Sequence, residues 1–437
     1  MGGQAVHDRR PVLAESPRGR RGRAIKPRHA AGVSTSPLPR LPVGSALRAS
    51  RTSRSPSRGV LDRRAVRRAL GDPWLILGVL LLFAGGCAAV YAATANGLRS
   101  QGRAPTSYLE RDLINGAIAV PLAAFATRVN LRVLTQVAPA LYGLLILALL
   151  LVLSPVGADI NGAHAWFRLG FVELEPSELV KLLLIVLGAA LLGERPDALS
   201  GAEGRPPARD VWRLLALTTV PLALVLAEPA LGVAIILVIV VFTLLALGGL
   251  SGRGLLGLLA GAGAVVALAV SLHVVKPYQE ARFTAFINPT SASAGATGYH
   301  LQQSLTAIGG GGVYGQGFLD GSQTNGGFVP EQQTDFIFTV VGEESGFLGS
   351  GALLAVFSLI VMRGLRIASE AADPVDRLVA VGVSGWLAVQ GFINIAMTVG
   401  LAPVTGLPLP FVSYGGSALF ASALGVGLLL NVARRDG

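Results

Sequence analysis

After its first seventy residues this chain returns again and again to apolar runs of roughly 17–25 residues, the length a helix needs to cross a bilayer. Nothing else in the sequence limits the fold as strongly. In hydrocarbon every backbone donor and acceptor must be paired within the protein, so only helices and closed barrels span. Runs of this length select helices. Ten candidate spans can be drawn, at about 74–93, 112–128, 136–154, 178–194, 212–227, 231–250, 255–275, 335–364, 378–399 and 412–432. The expected fold is an all-α integral membrane bundle of ten spans, occupying residues 73–437. The second and fifth spans are the weakest, being short or interrupted by proline. The eighth is long and broken by Gly342, Gly346, Gly349 and Gly351, so part of it is expected to lie outside the membrane or to re-enter it.

Charge is divided unevenly. The chain has a net charge of +11, yet residues 1–71 hold 17 Lys and Arg against 3 Asp and Glu, and the remainder holds 19 against 22. The excess belongs to residues 1–72, which are rich in Arg, Pro, Ser and Gly and lack apolar periodicity. They are expected to form a disordered cytoplasmic tail that meets anionic lipid headgroups rather than nucleic acid. No cleavable signal segment opens the chain, so the first span is expected to direct insertion. Arginines fall in one set of loops, at Arg128, Arg132, Arg195, Arg205, Arg209, Arg213, Arg253, Arg363, Arg366 and Arg377, and again at Arg434 and Arg435. By the positive-inside rule that side is cytoplasmic, with both termini on it. The long loop 276–334 then lies outside. Cys87 stands alone in an apolar run, which rules out an internal disulfide and reads as a small buried hydrophobe.

Polar residues collect on the outer side in three places. The first is FVPEQQTDFIFTVVGEESGFLG, residues 328–349. Asp335 sits where the eighth span leaves water. Low dielectric would raise its pKa toward the range of a general base, but an aspartate there also suits a helix N-cap; both readings stand. Glu343 and Glu344 lie deeper, and in a regular helix at least one faces the bundle interior, paired structurally with a cation or taking part in chemistry. Upstream, the loop 276–334 is long and glycine-rich, as functional loops often are. Its Gly310, Gly312 and Gly315 match G-x-G-x-x-G, but without a βαβ setting that pattern does not bind a dinucleotide. Its backbone amides could still cradle another phosphate.

The second cluster is NGAHAWFRLGFVELEPSELVKLLL, residues 161–184. Trp166 suits an interface belt, and Pro176, Ser177 and Glu178 read as a helix start. Lys181 lies one turn inside an apolar run and must be paired, by Glu178 or Glu343, or line a wet cavity. The third is NIAMTVGLAPVTGLPLPFVSYGGSALF, residues 394–420, whose prolines and glycines forbid a simple helix. Irregular backbone at membrane depth is tolerated where it is buried in protein or lines a cavity. A water-accessible pocket opening outward would hold Asp335, with Lys181, Arg168 and Arg282 available as cations.

Four segments, TDFIFTVVGEESGFLG, GYHLQQSLTAIGGGGVYGQG, NGAHAWFRLGFVELEPSELVKL and GLPLPFVSYGGS, occur in the order that resembles the SEDS family (shape, elongation, division and sporulation), the RodA, FtsW and SpoVE type. NGAHAW and VPEQQTDF look more like the elongation type, RodA, than the division type. The resemblance implies a peptidoglycan glycosyltransferase that polymerises lipid II into glycan strands at the bacterial plasma membrane. It implies a class B penicillin-binding protein as partner, beside the growing glycan strand and membrane lipids, with no nucleic acid. The family's essential aspartate falls on Asp335, its P-S-E-x-x-K segment on Pro176, Ser177, Glu178 and Lys181, and its loop tryptophan on Trp166. Substrate contacts implied in this way are Trp166, Arg168, Lys181, Arg282, Gln303, Ser304, Glu331 and Ser413. The family's Q-P-D-L-G reads Glu228-Pro229-Ala230-Leu231-Gly232 here, Ala165 stands where Arg is common, and Glu175 where Gln is common.

On this resemblance Asp335 would take the proton of the acceptor's 4-hydroxyl as undecaprenyl pyrophosphate leaves. The phosphate charge would be met by Arg168, Lys181, Arg282 or a divalent cation such as Mg or Mn. A division-type polymerase of the same family and a lipid II flippase are the rival expectations. The flippase would need ionisable groups near the midplane and access from both sides, whereas these motifs face outward.

Overall fold

The computed structural model describes residues 71–160, 163–170, 172–193, 205–272, 277–288, 291 and 295–435. The predicted basic tail lies outside the described residues, apart from its last two. Helices stand at all ten expected spans: α1 (Pro73–Ser100), α2 (Ser107–Ala126), α3 (Leu131–Val152), α4 (Pro176–Gly193), α5 (Ala208–Ala227), α6 (Leu231–Leu247), α7 (Gly252–Ser271), α11 (Ile337–Glu370), α12 (Pro374–Thr398) and α13 (Gly416–Arg435). Seven of them, α1, α3, α4, α5, α11, α12 and α13, are both long and apolar enough to cross a membrane. Leu231–Leu247 and Gly252–Leu268 are apolar but shorter. The first turns of α2 carry Glu110, Arg111 and Asp112, which lowers its hydropathy.

The sequence marks many helix starts. Asp72 accepts from the amides of Trp74 and Leu75 and also pairs with Arg363, tying the start of α1 to α11. Asn130 caps α3, and Asp373, followed by Pro374, caps α12. Each cap satisfies amides that the first turn leaves without partners. At the centre of the bundle, α4, α12 and α13 are mostly buried, whereas α1, α3 and α7 leave Leu80, Leu144 and Leu259 open, as lipid-facing helices do. Between α3 and α4 three short antiparallel strands, β1 (Ala158–Ile160), β2 (Ala163–Leu169) and β3 (Val172–Leu174), form a small sheet in the order β1-β2-β3. Arg168 opposes Glu173 across β2 and β3, with Gly170 at φ +70° in the turn.

The stretch expected to be an unstructured loop is largely helical, with α8 (Pro277–Ile287), α9 (Gly295–Gly311) and α10 (Ser322–Gly326). Hydropathy misses α9 because its buried stripe, Gly298, Leu301, Ser304, Ala307 and Gly311, is made mainly of small residues. They recur at helical spacing but carry little apolar weight.

The long eighth span does break, at one glycine. Within α11 Gly346 adopts φ +64° and ψ −159°. The interruption frees backbone groups that segment 312–317 then satisfies. The amides of Gln316 and Gly317 donate to the carbonyls of Glu343 and Glu344, at 2.9 and 3.1 Å. Those of Phe347 and Leu348 donate to the carbonyls of Gly312 and Val313, at 2.9 and 3.1 Å. The glycine-rich segment is thus a backbone splice into a broken helix. Two of its amides, at Gln316 and Gly317, are spent on α11, which corrects the expectation of a phosphate cradle. A side chain at Gly315 or Gly346 would collide with the backbone of the opposite segment. Replacing Gly346 by Ala forces a left-handed φ on an L residue as well as that collision, a cost of about 1–3 kcal/mol. The expected outcome is a lower Tm for Gly346→Ala in detergent than for Gly351→Ala, where nothing lies within 4 Å of an added Cβ.

Candidate active site

Asp335 is placed by the turn that leads into α11. Glu331 adopts φ +48°, and its carbonyl accepts from the amides of Thr334, Asp335 and Phe336. The N-cap of α11 is Phe336, with no side-chain cap bond. Capping therefore does not account for Asp335. Its carbonyl is held instead by Asn394 of α12, whose Nδ2 donates to Asp335 at 2.8 Å and to the carbonyl of Leu407 at 2.7 Å. One turn earlier Gln390 donates to the carbonyl of Pro408 at 2.9 Å. Two amides at i, i+4 on one helix face thus hold the irregular segment 405–410, satisfying carbonyls that have no helix to join.

That segment brings a cation to the acid. Arg282 of α8 donates to the carbonyl of Thr405 at 2.9 Å. A Cβ built on Gly406 would lie 3.4 Å from Asp335 Oδ2 and 3.8 and 3.9 Å from the guanidinium nitrogens of Arg282. Gly406 has φ +75°, and its bare Cα is the wall between the two. The half-buried Asp335 carboxyl is pushed up to about 6, first by burial and then by the charge of Glu331; Arg282 and the Thr334 hydroxyl act against that rise. Glu331 itself is exposed at the mouth of the site.

Two further carboxyls stand behind Asp335. Ser417, in the first turn of α13, accepts from the amide of Glu175 and donates to the carbonyl of Glu173, both at 2.8 Å, and so fixes the junction of β3 and α4. Burial raises the Glu175 carboxyl, and Glu178 and Asp335 raise it further. Glu228, in the turn between α5 and α6, is wholly buried and is pushed up to about 9 by burial and by Glu175. Glu175 and Glu228 are visible in the sequence as departures from the SEDS pattern, but no spacing rule marks them as neighbours of Asp335. Asn394 and Gln390 are legible only as polar residues at helical spacing in an apolar run.

Several expected contacts are placed otherwise. Lys181 is completely buried; its Nζ donates to Glu178 at 2.7 Å and to Gln390 at 3.0 Å and lies 5.1 Å from the Trp386 ring centroid. These contacts suit a structural cation. Ser304 is buried and donates to the carbonyl of Thr398 at 2.6 Å, clamping α9 to α12. Ser413 accepts from the amide of Leu409 at 2.8 Å within a turn. Arg168, its side chain 60% exposed, faces Glu173 at 3.8 Å on the hairpin. Trp166 and Gln303 are half-buried, on β2 and α9. Glu343 is paired with a helix start rather than a cation: it accepts from the amides of Gln323 and Thr324 and from the hydroxyls of Ser322 and Thr324. Among the described residues no three His, Cys, Asp or Glu side chains could together hold a metal ion. The protein groups around Asp335 do not fit a preformed divalent-cation site.

The comparisons with known proteins agree with this architecture. The FtsW, RodA and SpoVE family of cell cycle proteins matches over residues 73–436. The chain belongs to that family. Peptidoglycan glycosyltransferase MrdB of Escherichia coli K12 is 34% identical over 367 residues, covering 83% of this chain and 93% of that protein. The probable peptidoglycan glycosyltransferase FtsW of Trichlorobacter lovleyi is 34% identical over 372 residues, covering 85% of this chain and 95% of the other. A chain solved in a peptidoglycan synthase complex, in a study of how polymerization and crosslinking are coordinated, has a TM-score of 0.68 at 32% identity and covers 84% of this chain and 98% of its own. The rod shape determining protein RodA of Thermus thermophilus has a TM-score of 0.59 at 31% identity, with coverage of 83% and 96%. Family membership thus extends over the helices and the irregular segment that position Asp335.

If Lys181 is a structural cation, removing it leaves Glu178 buried and uncompensated. Lys181→Ala is expected to cost about 3–5 kcal/mol of stability, and the double replacement Glu178→Leu with Lys181→Met to cost much less. Thermal unfolding in detergent measures both. A Lys181→Ala protein as stable as the parent would return this side chain to the list of substrate cations.

Proposed function

We propose that the chain is a multi-pass peptidoglycan glycosyltransferase that polymerises lipid II, with Asp335 as its general base. The reaction joins the 4-hydroxyl of an acceptor N-acetylglucosamine to the anomeric carbon of a donor N-acetylmuramic acid. Undecaprenyl pyrophosphate leaves from an α link and a β link forms, so the centre inverts and one base suffices. The observation that carries this is the half-buried carboxyl of Asp335, raised by burial and Glu331 and faced by Arg282 across Gly406. A base must ionise at working pH yet retain affinity for a proton, and a carboxyl near 6 does both. Arg282 is the cation placed to meet charge developing on the leaving pyrophosphate. No step is routed through a metal ion.

Ten spans with both termini cytoplasmic would set Asp335, β1–β3 and α8–α10 on the outer side, where the sugars are. A groove of about 370 Å³ between α1 and α11, lined by Leu81, Leu82, Phe318, Val340, Leu353 and others, suits a polyprenyl chain. Likeness to a chain in a peptidoglycan synthase complex supports a transpeptidase partner of the class B penicillin-binding type. NGAHAW and VPEQQTDF favour service in elongation and cell shape.

Purified protein with its partner should polymerise lipid II, and Asp335→Asn or Asp335→Ala should lose roughly 10²–10⁴-fold in rate. Movement of fluorescent lipid II across proteoliposomes without polymer would instead support a flippase. For the parent, kcat/KM should fall as pH drops through about 6, where Asp335 takes up its proton. Because Glu331 raises that value and Arg282 lowers it, Glu331→Gln should move the midpoint down and Arg282→Gln should move it up. Midpoints unmoved by either change would take the limb away from Asp335.

A further inference from the structure

Among the described residues Glu228 has no hydrogen-bond partner. Its residue is 0% exposed, and neither carboxyl oxygen has a hydrogen bond. An ionised carboxylate without water, donor or cation is among the costliest groups a protein can bury, and it neutralises instead. Its place is tied to the site by packing. Gly232, one turn into α6, lies against Leu407 and the carbonyl of Thr405, so a Cβ there would come within 2.6 and 2.8 Å of them. Thr405 is the residue that holds Arg282, and Gly406 walls Asp335. The turn carrying Glu228 therefore abuts the segment that shapes the acid–arginine pair.

We propose that Glu228 is a positioning residue for this site, a neutral carboxylic acid that fills the space behind Glu175 without adding charge to the row ending at Asp335. Three carboxyls then stand in sequence, and the deepest supplies bulk only. The neighbouring charge that acts on it is Glu175, just before α4; Arg282, held by Thr405, acts on Asp335. Glu175 in turn feels Glu178, Lys181 and Asp335. A second anion behind Glu175 would tighten the hold of Glu175 on its proton and load the same repulsion onto Asp335.

This inference rests on the reading of Asp335 as base, but its test reads Glu228 directly. The Glu228 carboxyl is raised from 4.5 in the ordinary state to about 9 in the fold. The unfolded chain therefore releases this proton at lower pH than the native protein does. Native stability is whole below about 4.5, is lost steadily as pH rises toward 9, and changes no further above it. Glu228→Gln has the same shape without the titration. Thermal unfolding of the full chain in detergent, from pH 5 to 10, should show the variant gaining on the parent up to about 9 and holding level beyond. A gap that stays constant, or one that favours the parent as pH rises, overturns the proposal.

Lipid II polymerisation gives the second readout. Glu228→Leu should lower kcat on the order of 10²-fold by shifting the 405–407 segment, as small misplacements of reacting groups do, and Glu228→Gln should restore it. The acid limb of Glu228→Gln should keep the parent's midpoint; a lower midpoint would mean that Glu228 is an anion, which overturns the proposal. If Asp335→Asn remains active while the unfolding gap behaves as expected, the base assignment fails and the neutral state of Glu228 stands.

Discussion

A membrane interior offers no water to repair a broken helix, and α11 is broken at Gly346. The segments around Gly346 are organised around that repair. Segment 312–317 supplies amides and carbonyls to both sides of the break, which requires glycine where the two backbones meet. The same helix sends Glu343 back to hold α10, where the carboxylate replaces the partners that the first amides lack. Glu343 is therefore not a stray charge in hydrocarbon. It is an acceptor that four donors require, and its burial lets a short helix stand beside α11. The neighbouring Glu344 lines the groove between α1 and α11, with one carboxyl oxygen unpaired.

A second irregular stretch, 405–410, is repaired by side chains instead of backbone. Gln390 and Asn394 project from one face of α12 and take the carbonyls of Pro408 and Leu407. The two amides do not act alike. Gln390 accepts from Lys181 and Trp386, so the buried ion pair of α4 fixes its orientation. Asn394 uses its amide on both Leu407 and Asp335, so the segment and the acid share one reference point. The network is only partly satisfied, since Asn394 Oδ1 and one Glu178 oxygen have no hydrogen bond among the described residues. Here the network connects the bundle centre, through Lys181 and Gln390, to the segment beside Asp335.

How far the sequence reveals this depends on the range of the interaction. Apolar run length placed ten helices, seven of them long and apolar enough to cross a membrane, because burial acts on whole segments. Asp335 was legible because its position at the edge of a span is a local fact, although its capping reading could be set aside only by seeing Phe336 at the N-cap. The irregularity of 394–420 was legible from its prolines. What it positions was not, because Asn394 and Leu407 meet through a fold that brings α12 against its own following loop. The backbone contacts of Ser304 and Ser413 were hidden for a related reason: a hydroxyl in a motif reads the same whether it faces a ligand, a carbonyl or an amide. The small-residue stripe of α9 was missed because hydropathy weighs side chains, whereas close packing of helices depends on their absence.

The charge balance of the site follows from these constraints. A pyrophosphate leaving group favours cations, yet three carboxyls gather behind the place where it would depart. The arrangement is tolerable because the carboxyls are not equivalent. Asp335 borders solvent and Arg282, so it can ionise near neutral pH. Glu175 is half-buried, feels the charges of Glu178, Lys181 and Asp335, and holds its proton more firmly than a free glutamate. Glu228 is wholly buried with no hydrogen bond among the described residues, and burial raises its carboxyl the most of the three. Negative charge thus thins out with depth and is greatest at the mouth, where Glu331 stands. The Asp335 carboxyl is raised by burial and by Glu331, while the arginine on the other side of Gly406 acts against that rise. The base strength of Asp335 is therefore a property of the segment 405–407, which fixes its distance from Arg282, as much as of the aspartate itself.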